Sequence, residues 1–263
     1  MFFDWIYATP TWLWGLIVLV VTVTLSCAAL VLLRHHFDLQ ISEEDGQASA
    51  VVMQTVGTLF SVLLAFVVVA EWQSFSDAEK VVQAEADHLI NIYSDTRALK
   101  GEDGAVLRKL VRDYASHVAT EEWAQQIAGK PVNAIPGRLL LERLRTATLA
   151  LVHEGKSSSI QTEIFRELND VGNQRRARLI AAQADAGVPT IIWVITLLGT
   201  LLLITCCHTL ALSSLRLHLW LVATTATAIV LVFILMLALD QPFRGAVRIS
   251  NEAFLSVLAS RSP

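Results

Sequence analysis

Four long runs of the chain contain no charged residue. Residues 11–33, 51–70, 188–207 and 219–239 lack Asp, Glu, Lys and Arg altogether. A helix needs about 20 apolar residues to cross a bilayer, so each run is long enough to form a membrane-spanning helix. None shows the short alternating pattern that is typical of outer-membrane barrel strands. The sequence therefore predicts an all-α integral membrane protein with four transmembrane helices.

The second run continues directly into a polar region without a glycine or proline to stop the helix. Val82, Ala86, Leu89 and Tyr93 then recur at helical spacing, so we expect this helix to extend out of the membrane. Further helices are predicted over 103–128 and 138–152, and from Ser158 or Ser159 through Val171 directly into the third membrane run. The polar region is thus expected to be a helical cytoplasmic domain between the second and third transmembrane helices.

These boundaries divide the chain into four parts. Transmembrane helices 1 and 2 occupy residues 1–71, the helical domain 72–187, transmembrane helices 3 and 4 188–240, and a short cytoplasmic tail 241–263. Seven cations near the membrane share the domain's side with both termini, and only Arg34 and Arg216 lie on the other side. Basic residues favour the cytoplasmic side, which predicts a bacterial inner-membrane protein with both termini in the cytoplasm. The seven are Lys80, Arg175, Arg176, Arg178, Arg244, Arg248 and Arg261.

Composition narrows the function classes. Hydrophobic residues make up 54% of the 263 positions and charged residues 17%, with 20 basic against 24 acidic residues. The net charge of −4 and the lack of a basic run argue against nucleic acid as a partner. The phosphate-loop, dinucleotide, zinc-protease and nucleophile-elbow motifs are all missing, so we expect no enzyme activity, no cofactor and no metal site. His35 and His36 are interpreted as a solvated pair at the membrane surface.

One face of the second transmembrane helix carries polar or small side chains. Gln54, Thr58, Ser61 and Ala65 are spaced by four, three and four residues, and therefore form one stripe. Helix packing explains such a stripe most simply, because small and hydroxyl residues let helices approach and bond. The alternative is that the stripe lines a water-filled path. Thr58, Val62 and Phe66 form an adjoining stripe, whose apolar members would provide a hydrophobic constriction.

Charged residues stand at the inner ends of two membrane runs. Glu71 ends the second run, and Asp240 ends the fourth, with Arg244 close behind it. Ionisable groups at this depth need a partner or water. A structural clamp, in which Asp240 pairs with Arg244 or with one of Arg175, Arg176 and Arg178, is one interpretation. An acidic ring at a pore mouth, which would favour cations, is the other.

Several stretches resemble a bacterial family of uncharacterised membrane proteins described as bestrophin-like. Residues 57–66 and the following Glu71-Trp72 are similar to that family, as are Tyr114 and the Glu122-Trp123 pair. The most distinctive stretch is the Asp-Gln-Pro-Phe-Arg-Gly sequence at 240–245. The resemblance covers about residues 50–255. It extends more weakly to true bestrophins, which are pentameric chloride channels with four membrane segments and a helical cytoplasmic domain.

The resemblance to bestrophins implies a function and a pore. Residues 61–66 are similar to the neck stretch of bestrophins, which makes Thr58, Val62 and Phe66 the neck candidates, with Gln54 and Ser61 beside them. Val62 stands where bestrophins have an aromatic residue, and Ala65 where they have glycine. We expect a homo-oligomer in the lipid bilayer, most simply a pentamer, that conducts small ions and in particular anions. The alternative hypothesis is a membrane-anchored scaffold or stress-response protein whose helical domain recruits a cytoplasmic partner.

Overall fold

A computed structural model of the chain describes residues 11–36, 43–99, 102–153, 159–183, 187–210 and 212–260. Ser158 and Arg261, used in the predictions above, lie outside this part of the chain. Every regular element of the described residues is helical, which confirms the all-α prediction. The helices are α1 Thr11–His36, α2 Glu43–Asp95, α3 Glu102–His117, α4 Trp123–Ile127, α5 Ala134–His153, α6 Ser159–Ala181, α7 Thr190–His208, α8 Leu215–Leu239 and α9 Glu252–Ala259, with a 3₁₀ turn at Thr96–Ala98 and a π-helical turn at Val118–Glu122.

The chain forms two compact units. The membrane unit comprises Met1–Gln73 and Gly187–Asp240, and the helical unit comprises Ser74–Ala186 and Gln241–Pro263. Four helices among the described residues, namely α1, α2, α7 and α8, are long and apolar enough to cross a bilayer. Residues 241–260, which the sequence presents as a short tail, fold as part of the helical unit.

Apolar side chains hold the membrane unit together. Phe60, Leu64 and Val67 of α2 pack against Leu203 of α7 and Met236 of α8. In an α-helix this spacing places the three α2 side chains on one face, and burying them leaves the other face of α2 open. The exposed side chains of the unit include many large apolar ones, such as Leu59 and Leu201, which suits contact with lipid.

Hydrogen bonds join the ends of α1 and α7 to the start of α8. Nε2 of the buried His218 lies 2.8 Å from the Cys207 carbonyl oxygen, and its Nδ1 lies 3.0 Å from Arg34 Nη2. Since Arg34 can only donate, Nδ1 accepts and Nε2 carries the proton. Arg34 also donates to the carbonyl of Leu212. These bonds tie α1 to the connection between α7 and α8.

The helical unit has its own core. Helix α3 packs against α5 and α9, and α5 packs against α6. The core includes Leu89, Tyr114, Leu144, Ile164 and Phe254, each with at most a trace of exposed surface. The predicted helices of the polar region are thus present, and they bury a common apolar interior.

Helix α2 runs through both units as one element. Its 53 residues correspond to about 80 Å of helix, and no break separates the membrane run from the polar region. The predicted extension of the second transmembrane helix is confirmed. Its buried side chains recur every three or four residues from Phe60 to Glu71, and buried positions resume on the same face from Ala78 to Ile92, with half-buried Phe75 between them.

The third transmembrane helix does not continue from the helical unit, contrary to the prediction. Helix α6 ends at Ala181, and α7 begins at Thr190, directly after Pro189. Pro189 has no N–H and adopts an extended ψ of 136°, and proline also disfavours helical backbone at the residue before it. Val188-Pro189 therefore starts a helix, as expected, but also separates it from the preceding one.

Gly199 provides a test of the membrane-unit packing. A methyl group added there would collide with the buried ring of Phe60, so we expect Gly199→Ala to lower the free energy of unfolding by about 1–3 kcal/mol. Gly57→Ala is the matched control, because its methyl group would meet Leu203 Cδ1 at an ordinary 3.5 Å. Thermal unfolding of both variants in mild detergent measures the difference. Equal stability of the two would contradict this packing.

Candidate functional site

The predicted polar stripe of α2 is uncovered in the single chain. The side chains of Gln54, Thr58, Ser61, Val62 and Phe66 are all exposed. They lie on the side of α2 opposite the buried stripe. Helices of the same chain therefore do not cover the stripe. Helix packing against another copy and a water-filled path both stay predictions.

An open groove of about 630 Å³ runs beside the stripe. It is bordered by α2 together with residues of α7, α8 and the connection after α7. None of the described residues that line it is charged, and its polar groups are amide and hydroxyl side chains. The lining residues are Ala50, Met53, Gln54, Gly57, Thr58, Ser61, Val62, Leu203, Leu210 and Thr225.

The hydroxyl groups of the stripe use their protons on the helix itself. Thr58 Oγ1 donates to the Gln54 carbonyl at 2.8 Å, and Ser61 Oγ donates to the Gly57 carbonyl at 2.7 Å. A hydroxyl has one proton and two lone pairs, so each oxygen still has acceptor capacity. The groove therefore presents the stripe hydroxyls as acceptors, which suits a cation or a hydrogen-bond donor.

An apolar stretch follows the hydroxyls along the same side of α2. Val62 is 51% exposed, Phe66 70% and Val69 59%. Their spacing of four and three residues places them on adjacent turns. Repeated around an axis, such side chains would form a constriction that excludes water.

Glu71 does not share this exposed side. Its side chain belongs to the buried stripe and is 5% exposed, so the hypothesis of an acidic ring at a pore mouth is wrong for Glu71. Asp240 is close enough to interact with it electrostatically. The Asp240 Oδ1 also accepts a hydrogen bond of 2.8 Å from the Val188 N–H, just before α7. Gly187 permits this approach, because a Cβ there would collide with Asp240.

The four arginines considered as partners of Asp240 have contacts of their own in the helical unit. Arg175 and Arg178 pair with carboxylates inside the helical unit, and Arg176 donates to Asn173 Oδ1 at 2.5 Å. Arg244 lies against Gly129, whose positive φ of 63° and missing side chain leave room for the guanidinium. The clamp between Asp240 and one of these arginines stays a prediction.

The helical unit encloses a network of buried charges. Arg178 is fully buried, and its Nε donates to Glu85 Oε2 at 2.7 Å while Nη2 donates to Glu122 Oε2 at 2.9 Å. Arg175 Nη1 donates to the same Glu122 oxygen at 3.0 Å. The Tyr114 hydroxyl donates to Glu85 Oε1 at 2.6 Å. Two arginines thus balance two glutamates inside the core.

Electrostatic interactions in this network favour the charged forms of Glu122 and Arg178 and the neutral form of Tyr114. Burial alone would raise the pKa of the Glu122 carboxyl, but Arg178 and Arg175 outweigh it and lower that pKa. Burial would likewise lower the pKa of Arg178, and the Glu85 carboxylate raises it instead. Burial and the charge of Glu85 both raise the pKa of Tyr114, so its hydroxyl keeps the proton that it donates.

Residues that carried the family resemblance meet in the core of the helical unit. The ring of Trp123 packs edge-on against Phe243 at 5.6 Å and lies 5.9 Å from Phe254. The Arg178 guanidinium lies 5.5 Å from the Phe254 ring centroid. The Asp-Gln-Pro-Phe-Arg-Gly stretch thus contributes Phe243 to a structural core.

Arg175 and Arg178 are buried and pair with glutamates inside the helical unit, whereas the sequence predicted charges at the membrane surface. A signal was nevertheless present. Ile164, Leu168 and Val171 are spaced by four and three residues, and Arg175 and Arg178 continue that spacing on the buried face of α6. Among the described residues, no group of three or more His, Cys, Asp or Glu side chains is placed to hold a metal ion.

The buried network predicts a large effect at Arg178 and a small one at its neighbour. Arg178→Met would leave Glu85 and Glu122 buried with too little positive charge, which should lower the free energy of unfolding by about 3–5 kcal/mol. Arg176→Met removes an exposed guanidinium from the same helix and should change it by less than about 0.5 kcal/mol. Denaturant titration of the full chain in detergent compares them. Similar losses in both variants would show that the network does not stabilise the unit.

Comparisons with known proteins bear on the family and the fold of this chain. None of the curated proteins compared with this chain matches it. A crystal structure of a bacterial bestrophin homolog from Klebsiella pneumoniae, solved by Zn-SAD phasing, is 13% identical with a TM-score of 0.69, over 94% of this chain and 99% of that one. A single-mutation variant of the Klebsiella pneumoniae homolog is 13% identical with a TM-score of 0.70, over 94% and 99%. The family model for the bestrophin-like domain matches residues 8–254, and the chain therefore belongs to the bestrophin-like family.

Proposed function

We propose that this chain forms an oligomeric ion channel in the bacterial inner membrane, with a pore lined by α2. The observation that carries the proposal is the exposed stripe of Gln54, Thr58 and Ser61 on a membrane-spanning helix. Polar side chains are unfavourable against lipid, so this side of α2 needs water or another protein surface. Membership of the bestrophin-like family and the likeness to a bestrophin homolog support the same function.

A single chain does not supply the whole pore. The groove beside Thr58 and Ser61 is open on one side, and one subunit contributes one α2. Several copies arranged around an axis would bring their α2 stripes together and enclose the path. The resemblance to bestrophins makes a pentamer the natural arrangement.

The orientation in the membrane follows from charge. The helical unit contributes Lys80 and the arginines of α6 to the side that also holds Arg244 and Arg248. The positive-inside rule then favours a cytoplasmic helical unit and cytoplasmic termini. Burial of Arg175 and Arg178 removes two of these cations from the surface, but the remaining ones still outnumber Arg34 and Arg216.

In this proposal, the side chains that line the groove determine the charge of the permeant ion. The resemblance to bestrophins favours anions, for which basic or N–H donor groups would be expected along the path. The stripe instead offers the acceptor oxygens of Thr58 and Ser61, which favour cations. We therefore expect cations to permeate more readily than chloride.

Thr58→Val tests the selectivity, because valine keeps the shape and removes the oxygen. In a potassium chloride gradient the reversal potential of the native channel should lie toward the potassium equilibrium potential, and Thr58→Val should move it toward zero. Thr205→Val is the control, since Thr205 makes the same kind of bond to Leu201 O, at 2.7 Å, outside the groove lining. A reversal potential near that of chloride would support the anion-conducting version.

Phe66→Ala tests the pore itself. In a channel, truncating Phe66 in every subunit widens the apolar constriction, so ion flux through reconstituted liposomes should increase. Leu201→Ala, which shortens a similarly exposed side chain on α7, should leave the flux unchanged. In a membrane-anchored scaffold neither variant would create a leak. If native protein and Phe66→Ala are both ion-tight while folded and assembled, the channel proposal fails.

A further inference from the structure

A second cavity lies in the helical unit. This cleft, of about 350 Å³, is lined by Tyr93 near the end of α2 and by one face of α3. The α3 side chains are spaced by three, one, three and one residues, so they line up along two turns. They are Ala105, Arg108, Lys109, Arg112 and Asp113.

Neighbouring carbonyl groups hold two of the cations in place. Arg108 Nη1 donates to the Thr96 carbonyl at 3.0 Å, and Arg112 Nη2 donates to the Leu258 carbonyl at 3.3 Å. A guanidinium has five N–H donors, so each arginine keeps donors for a further partner. The carbonyls orient the arginines but do not neutralise their charge.

The cleft is short of negative charge. Among the described residues, no carboxylate oxygen lies within 4.0 Å of Arg108, Lys109 or Arg112 in an ion pair. Asp113 supplies one acid against these three cations, and the Arg97 guanidinium lies 5.9 Å from the Tyr93 ring centroid beside them. The lining residues therefore carry an excess of two positive charges.

Three other exposed cations of the unit have a carboxylate partner on their own helix. Lys80 pairs with Asp77 at 2.8 Å and Arg138 with Glu142 at 3.8 Å, in each case one helical turn away. Arg166 likewise pairs with Glu163. Exposed Arg145 and Arg176 donate instead to the side-chain oxygens of Asn169 and Asn173, each as a single cation. The cleft differs from both groups because it brings three cations together with one acid.

We propose that this cleft binds the phosphate group of a small phosphorylated anion. Guanidinium groups bind phosphate oxygens through paired N–H donors, and Lys109 would add a charge to them. The volume falls at the lower end of the range for small-molecule sites, which suits a molecule with one or two phosphates. The site belongs to the helical unit and does not depend on the pore proposal.

Pyrophosphate is the probe for this site. Isothermal titration calorimetry of the full chain in detergent should show saturable binding with one site per chain, weakening as ionic strength rises. Lys109→Gln should weaken it about fivefold, and Lys109→Gln with Arg112→Gln by more than that. Lys109 is exposed and has no hydrogen-bond or ion-pair partner among the described residues, so its replacement leaves the fold intact. Arg143→Gln on α5 removes the same charge from an exposed position outside the cleft and should leave the affinity unchanged.

A second arm identifies the source of the phosphate. The titration is repeated in nanodiscs of phosphatidylcholine, with and without phosphatidylglycerol. Competition between phosphatidylglycerol and pyrophosphate, lost in Lys109→Gln, would identify a lipid headgroup, and undisturbed pyrophosphate binding would identify a soluble ligand. Absence of pyrophosphate binding up to about 10 mM in both media would overturn the proposal. Equal weakening by Arg143→Gln would also overturn it, because binding would then follow net charge alone.

Discussion

Helix α2 imposes the constraint on which the rest of this structure depends. Because it is one uninterrupted helix, a single period of 3.6 residues governs its membrane part and its polar part. The buried stripe that packs Phe60 and Leu64 continues through Val82 and Leu89 into the core of the helical unit. Once that stripe is buried, the opposite side, with Thr58 and Phe66, is left without a partner in the chain. The candidate pore surface is the consequence of this arrangement.

Part of the family resemblance lies in the core of the helical unit, away from the exposed side of α2. Tyr114, the Glu122-Trp123 pair and Phe243 carried much of the resemblance, and the structure uses them to build the helical unit around Arg178. A buried ion pair tolerates few replacements, because removal of one partner leaves an uncompensated charge. The packing around this network is also close at Gly137, since a Cβ there would collide with Glu122 and Arg175. These residues indicate the fold, whereas the exposed side of α2 carries the argument for ion conduction.

Sequence-based predictions succeeded for features that depend on one helix alone. They failed for features that depend on contacts between segments distant in the chain. Helix α2 was predicted to leave the membrane unbroken, because nothing between Val67 and Glu85 stops a helix, and it does so. The break before α7 was missed because Pro189 was considered only as a helix start. For Glu71 the sequence left a structural clamp and an acidic ring at a pore mouth both open, because it gives the depth of this residue but not which side of the helix is covered. Arg175 and Arg178 were assigned to the membrane surface because charge suggested exposure.

The sequence by itself determined the all-helical class, the four membrane runs and the polar stripe of α2, because these follow from hydrophobicity and helical period within one segment. Only the tertiary structure decided which side of α2 is covered, that Glu71 lies on that side, and that Asp240 accepts a hydrogen bond from the Val188 N–H just before α7. It also decided that Glu85, Glu122, Arg175 and Arg178 neutralise one another. The physical reason is that burial and ion pairing depend on distances between residues far apart in the chain, and no local pattern contains those distances.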